Sequence, residues 1–135
     1  MCLLGAACGS DGGTGPQLKN VTGTYTYSVP NLNTVGLACQ VHATMTVSQG
    51  NAAFTGSYTG TVICTAASGT DTLPAAGSVV NGSVKGDSVF FDLDGSDWHD
   101  MGTIVGSGMQ GLVNVHLTVN GSPTVVAGDF TCVKQ

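Results

Sequence analysis

The residues best placed to do chemistry crowd into one stretch, Asp92-Leu93-Asp94-Gly95-Ser96-Asp97-Trp98-His99-Asp100, which holds four of the eight aspartates of a chain without glutamate. Alternating carboxylates around a glycine are what a hard cation such as calcium asks of a loop, because it needs several oxygens from one tight turn. The EF-hand order puts glycine sixth and glutamate twelfth; counted from Asp92, those positions hold Asp97 and Thr103. The pattern fails, and aspartate also serves strand-end turns by bonding its own backbone, so no metal is expected. Trp98, the single tryptophan, sits in this polar loop, placed to plug one end of the fold or to stack on a ligand. His42 and His116 have the parity of outward-facing residues, and His99 belongs to the loop; no two are spaced to share a metal. No serine or threonine has a histidine and carboxylate aligned with it. The two carboxylates that glycoside chemistry needs would both have to come from residues 92–100. A non-catalytic protein without a cofactor is the expectation.

The elements that hold these residues follow from composition and alternation. Three lysines, no arginine and a net charge of −5 exclude nucleic acid as a partner, since its phosphates would be repelled. Only 8% of residues are charged, and good helix formers are scarce beside Thr, Ser, Gly and Val, so the reading is all-β. Past residue 20, apolar and polar residues alternate, the mark of strands with one buried face. Val21, Gly23, Tyr25, Tyr27 and Val29 form one inward set; Cys39, Val41, Ala43, Met45 and Val47 form the next; Phe54, Gly56, Tyr58, Gly60, Val62 and Cys64 the third. Between strands recur Gly50-Asn51, Gly86-Asp87, Gly106-Ser107 and Gly121-Ser122, two-residue turns in which glycine accepts positive φ. These turns place Gln49 opposite Ala52, Val84 opposite Val89, Ile104 opposite Met109 and Val119 opposite Thr124. That register in turn sets Val80 against Leu93 and Val113 against Phe130.

Strands are expected near 21–29, 39–49, 52–65, 77–85, 88–94, 101–105, 108–119 and 123–134, with long connections at 30–38 and 65–76. About eight strands joined this way form an antiparallel meander, expected to close as a small up-and-down barrel over residues 21–135; a two-sheet β-sandwich is the alternative. The register sets Cys39 diagonal to Cys64, and a bulge at Gly60 would bring them level for a disulfide. Cys132 is expected to be a buried, inert thiol.

Leu3-Leu4-Gly5-Ala6-Ala7-Cys8, followed by the Gly-rich Gly9-Ser10-Asp11-Gly12-Gly13, resembles the lipobox of bacterial lipoproteins. The resemblance implies a truncated signal over 1–8, lipidation of Cys8, a tether over 9–20, and a place in the cell envelope or outside it, with membrane contact only through the anchor. Val21-Thr22-Gly23-Thr24-Tyr25, Ala53-Phe54-Thr55-Gly56-Ser57-Tyr58 and Val126-Ala127-Gly128-Asp129-Phe130-Thr131-Cys132-Val133-Lys134 resemble avidin-type barrels. That likeness implies the barrel but not a biotin site, because avidins line their pocket with several tryptophans. The expected function is a non-catalytic envelope module holding a small apolar or aromatic ligand near Tyr25, Tyr27, Tyr58 and Trp98. The alternative is a structural or interaction protein whose own side chains fill the barrel.

Overall fold

The computed structural model describes residues 18–94, 97–119 and 121–135. Cys8, and with it the lipobox reading, lies outside these residues. Eight strands run in chain order: β1 (Gly23–Thr34), β2 (Leu37–Gly50), β3 (Ala53–Ala66), β4 (Gly69–Lys85), β5 (Ser88–Leu93), β6 (Asp97–Val105), β7 (Gly108–Val119) and β8 (Ser122–Lys134). Each pairs with the next, and β8 pairs antiparallel with β1 from Tyr25 opposite Lys134 to Ser28 opposite Thr131. The meander is a closed barrel, not a sandwich.

The two expected long connections are strand instead. Thr34 pairs with Leu37 and Ala66 with Gly69, so tight turns at 35–36 and 67–68 cap two long hairpins. In β1 the alternation is hidden by a bulge: Val29 opposes Val41, but Leu32 opposes Cys39. Pro30, which has no N–H for a ladder bond, sits in that bulge. Both Val29 and Leu32 are buried, so the inward face passes from odd to even numbers across the extra residue. A second bulge lies in β4 at Asn81, whose φ is 55°; it sets Val79, not Val80, opposite Leu93.

Two of the four turns fall where glycine predicts, with Lys85 opposite Ser88 and Val105 opposite Gly108, and φ near +60° at Gly86 and Gly106. The other two are displaced by one residue. Gly50 pairs with Ala53, and Asn51 takes the positive φ of 58°; asparagine tolerates that region better than most residues. Val119 pairs with Ser122, which brings Phe130 opposite Gly111 in place of Val113. Moving a turn by one residue moves every partner by two, so the buried face is unchanged.

The first displacement also sets Cys39 directly opposite Cys64. Their Cα atoms are 4.1 Å apart and the disulfide forms with no bulge at Gly60. Closing a loop of this length stabilises the fold by about 3 kcal/mol.

The interior is packed at one end. Tyr27 stacks on Phe130 at 5.8 Å between centroids, Phe130 meets Phe91 edge-on at 5.6 Å, and Phe91 meets Phe54 at 5.9 Å. Phe130 lies over the paired glycines Gly102 and Gly111; a Cβ at Gly102 would come within 2.9 Å of its ring. Missing side chains on two strands thus become the seat of one aromatic ring. Residues 18–22 and the turns at 51–52, 86–87 and 106–107 close this end. Val21 is buried there, its N–H donating to Gln49 Oε1 at 2.7 Å, while Gln49 Nε2 donates to the Lys19 carbonyl at 2.8 Å.

Candidate functional site

The opposite end is open because its walls are unequal. β4 has 17 residues and β5 only six. Their pairing stops at Val79 opposite Leu93, with one further backbone bond from the Asp94 N–H to the Ser78 carbonyl at 3.0 Å, so β4 from Gly69 to Gly77 has β3 alone as its ladder partner. The β2–β3–β4 wall therefore stands above the end of β5 and the start of β6. Pro74, with no N–H to offer, interrupts the free edge of β4 and blunts it against added strands.

Against the inner face of this wall lies a cavity of about 290 Å³, lined by Tyr27, Val41, Ala43, Tyr58, Val62, Pro74, Ala75, Ala76, Leu93 and Trp98. At liquid water's share of about 30 Å³ per molecule, that is room for roughly ten waters. Alternation accounts for the inward members of the lining, while Pro74 and Ala76, of opposite parity to Ala75, join it at the free edge of β4. Val62 faces Leu73 and Gly60 faces Ala75 on the inward side of β3 and β4, and Leu93 faces Trp98 across β5 and β6. Tyr58 leans over Gly77, where a Cβ would come within 3.2 Å of its ring carbon, and its hydroxyl donates to the Asp94 carbonyl at 2.8 Å.

Three of the four aromatic residues expected near a ligand, Tyr27, Tyr58 and Trp98, thus meet at one cavity. Tyr25 does not: it points to the closed end, its hydroxyl donating to the Val21 carbonyl at 2.7 Å and the Lys134 ammonium 5.8 Å from its ring centre. Strand register decides this, since Tyr25 is paired with Met45 and Tyr27 with Ala43, one step nearer the mouth. Trp98 is not in a loop. It is the second residue of β6, 9% exposed, and its indole N–H donates to the Tyr27 hydroxyl at 3.0 Å.

The Tyr27 hydroxyl donates in turn to Asp100 Oδ1 at 2.7 Å. Asp100 is the one charged residue buried among the described residues, 3% exposed, and its Oδ2 has no partner. Burial pushes its carboxyl up to about 8, against the opposing effect of the Tyr27 hydrogen bond, so it is protonated at neutral pH. Burial also raises Tyr27 well above the usual phenol range, and raises the free thiol of Cys132, which faces Tyr27. A thiol held protonated is a poor nucleophile. Sequence reading grouped Asp100 with the loop aspartates. Its parity with Trp98, Gly102 and Ile104 along β6 is the signal that marks it as inward.

Outside the same rim runs a polar row. Asn81 Nδ2 donates to Asp92 Oδ2 at 2.8 Å; His99 joins Asp92 through Nδ1 at 2.8 Å and Asp97 through Nε2 at 2.7 Å. His116 lies 3.6 Å from Asp97, its ring 5.5 Å from that of His99. Sequence spacing did not pair these histidines; the β6–β7 register does, setting His116 opposite Asp97. Hydrogen bonds to Asp92 and then Asp97 raise the His99 pKa. No group of three or more His, Cys, Asp or Glu side chains is arranged to hold a metal ion among the described residues. The row ties the end of β5 to the start of β6 from outside, while Leu93 and Trp98 face the cavity from the inner side. Comparison of the chain with protein-family models, curated proteins and solved structures finds no match.

Proposed function

We propose that the barrel is a non-catalytic binding module of the bacterial cell envelope, anchored through Cys8 or secreted, that holds a small apolar or aromatic ligand in its mouth. The observation that carries this reading is the cavity: apolar, open at one end, and walled by the three aromatic side chains Tyr27, Tyr58 and Trp98. Such sites combine apolar lining with few polar groups. Below it the interior is occupied by Phe130, Phe91 and Phe54, so a ligand has the mouth and nothing deeper. The Cys39–Cys64 disulfide supports an oxidising compartment. Native mass spectrometry of protein purified from its own envelope tests the reading. The expected result is a co-purifying small molecule that is lost from Tyr58→Arg protein, and a diacylglycerol mass on Cys8. Recovery of bare chain alone would contradict ligand carriage.

A second reading, an interaction module without a ligand, is favoured by one outer feature. Phe90, Met101 and Leu112 are paired in a row across β5, β6 and β7, and all three are exposed. A partner bound through this row would be lost with Met101→Lys and kept with Tyr58→Arg.

A further inference from the structure

We propose that the mouth cavity selects a small organic cation, an amine or quaternary ammonium with an apolar body, an inference that rests on the binding function above. Three independent features of this end of the barrel converge on it. The first is charge. Asp92, Asp94 and Asp97 flank the β5–β6 turn, and Asp71 stands on the inward side of β4, opposite Cys64. All three lysines are at the other end: Lys19 beside Asp87, Lys85 at the foot of β4, and Lys134 against Tyr25. The two basic groups near the mouth, His99 and His116, sit on the outer face against Asp92 and Asp97. The lining itself carries no charged side chain, so Asp71 and Asp94, which face no lysine or histidine, act from the rim, where an excess of one sign of charge concentrates ligands of the other sign.

The second feature is the hydrogen-bond inventory. The lining has three side-chain donors, and each is committed: the Trp98 N–H to Tyr27, the Tyr27 hydroxyl to Asp100, and the Tyr58 hydroxyl to the Asp94 carbonyl. No side-chain donor remains to receive a carboxylate or phosphate. The Tyr58 hydroxyl, whose O–H is directed to the Asp94 carbonyl, can still accept on its oxygen, which suits an N–H or O–H of the ligand. The third is the aromatic lining itself, since Trp and Tyr rings attract cations through their quadrupoles.

The test uses three ligands of nearly one shape: choline, the uncharged 3,3-dimethylbutan-1-ol, and the anion 3,3-dimethylbutanoate. Each is titrated into the folded, disulfide-bonded protein up to about 10 mM, with calorimetry and the fluorescence of Trp98 as readouts. Choline is expected to bind at least tenfold more tightly than the alcohol, with no measurable binding of the carboxylate. The doubly neutralised Asp71→Asn, Asp94→Asn protein should lose most of that preference while its affinity for the alcohol stays the same. Equal or tighter binding of the alcohol or the carboxylate would overturn cation selection and leave the mouth as an apolar site. Binding of none of the three would overturn both.

Discussion

The two ends of the barrel are built from the same strands and reach opposite outcomes. At the closed end the large side chains of Tyr25, Met45, Phe54, Phe91, Met109 and Phe130 are buried, and the incoming chain is tied down by Gln49. At the mouth the inward positions of β3 and β4 are Tyr58, Gly60, Val62, Gly77, Ala75 and Leu73, too small or too far apart to meet across the barrel. Leu73 is 54% exposed, whereas Phe130 is 1%. An eight-stranded barrel is just wide enough for side chains to fill, so replacing bulk by small residues at one level opens a cavity there. Side-chain packing therefore concentrates at the closed end and binding capacity at the mouth.

Substitutions should separate the two. Phe130→Ala is expected to cost about 3–5 kcal/mol, because it empties the seat over Gly102 and Gly111 and uncouples Tyr27 from Phe91; chemical denaturation measures this. Tyr58→Leu should cost under about 1 kcal/mol, since Tyr58 is half-buried at the rim, yet abolish binding at the mouth. Similar losses from the two would erase the distinction. Replacing Cys39 and Cys64 by serine should lower stability by about 3 kcal/mol, without moving Trp98, whose environment near-ultraviolet circular dichroism reports.

The next effect depends on pH. The folded carboxyl of Asp100 titrates near 8, far above an unfolded aspartate at 3.8, so the native state holds a proton the unfolded chain has released. Its contribution is complete below about pH 4 and is lost as pH rises toward 8, at up to about 1.4 kcal/mol per pH unit. His99, also raised, adds a loss of the same sign above its unfolded value. Asp92 opposes both: against the upward push of partial burial, hydrogen bonds from Asn81 and His99 hold it low, so its contribution is lost as pH falls. Asp100→Asn should flatten the slope between pH 4 and 8, and an unchanged slope would place the proton elsewhere. The smallest expected effect is that of Gln49→Ala, about 1 kcal/mol, with hydrogen exchange faster at Val21 and unchanged at the mouth.

The closed end was the more legible of the two in the sequence. Two of its three turns, Gly86-Asp87 and Gly106-Ser107, carry glycine where positive φ is needed. The mouth was harder to read because its strands break their own pattern. Pro30 inserts a residue and switches parity, as Asn81 does nearer the closed end, and Pro74 sits within a strand whose free edge does not need its N–H. Trp98 and Asp100 were read as loop because aspartates crowd the turn before them, though even-numbered parity continues from Trp98 through Ile104. The Cys39–Cys64 pairing was legible in kind. Its level alignment depends on Asn51 rather than Gly50 leading the turn, a choice between two residues that both accept positive φ.

The division of labour between the ends is tested most directly by amide chemical-shift mapping of isotope-labelled protein titrated with choline. The account predicts perturbations at residues 58–62, 73–77, 93–94 and 97–98, with the amides of Val21, Gln49 and Lys134 unmoved. Shifts centred on the closed end or on the outer row of Phe90, Met101 and Leu112, or no shifts anywhere, would contradict it.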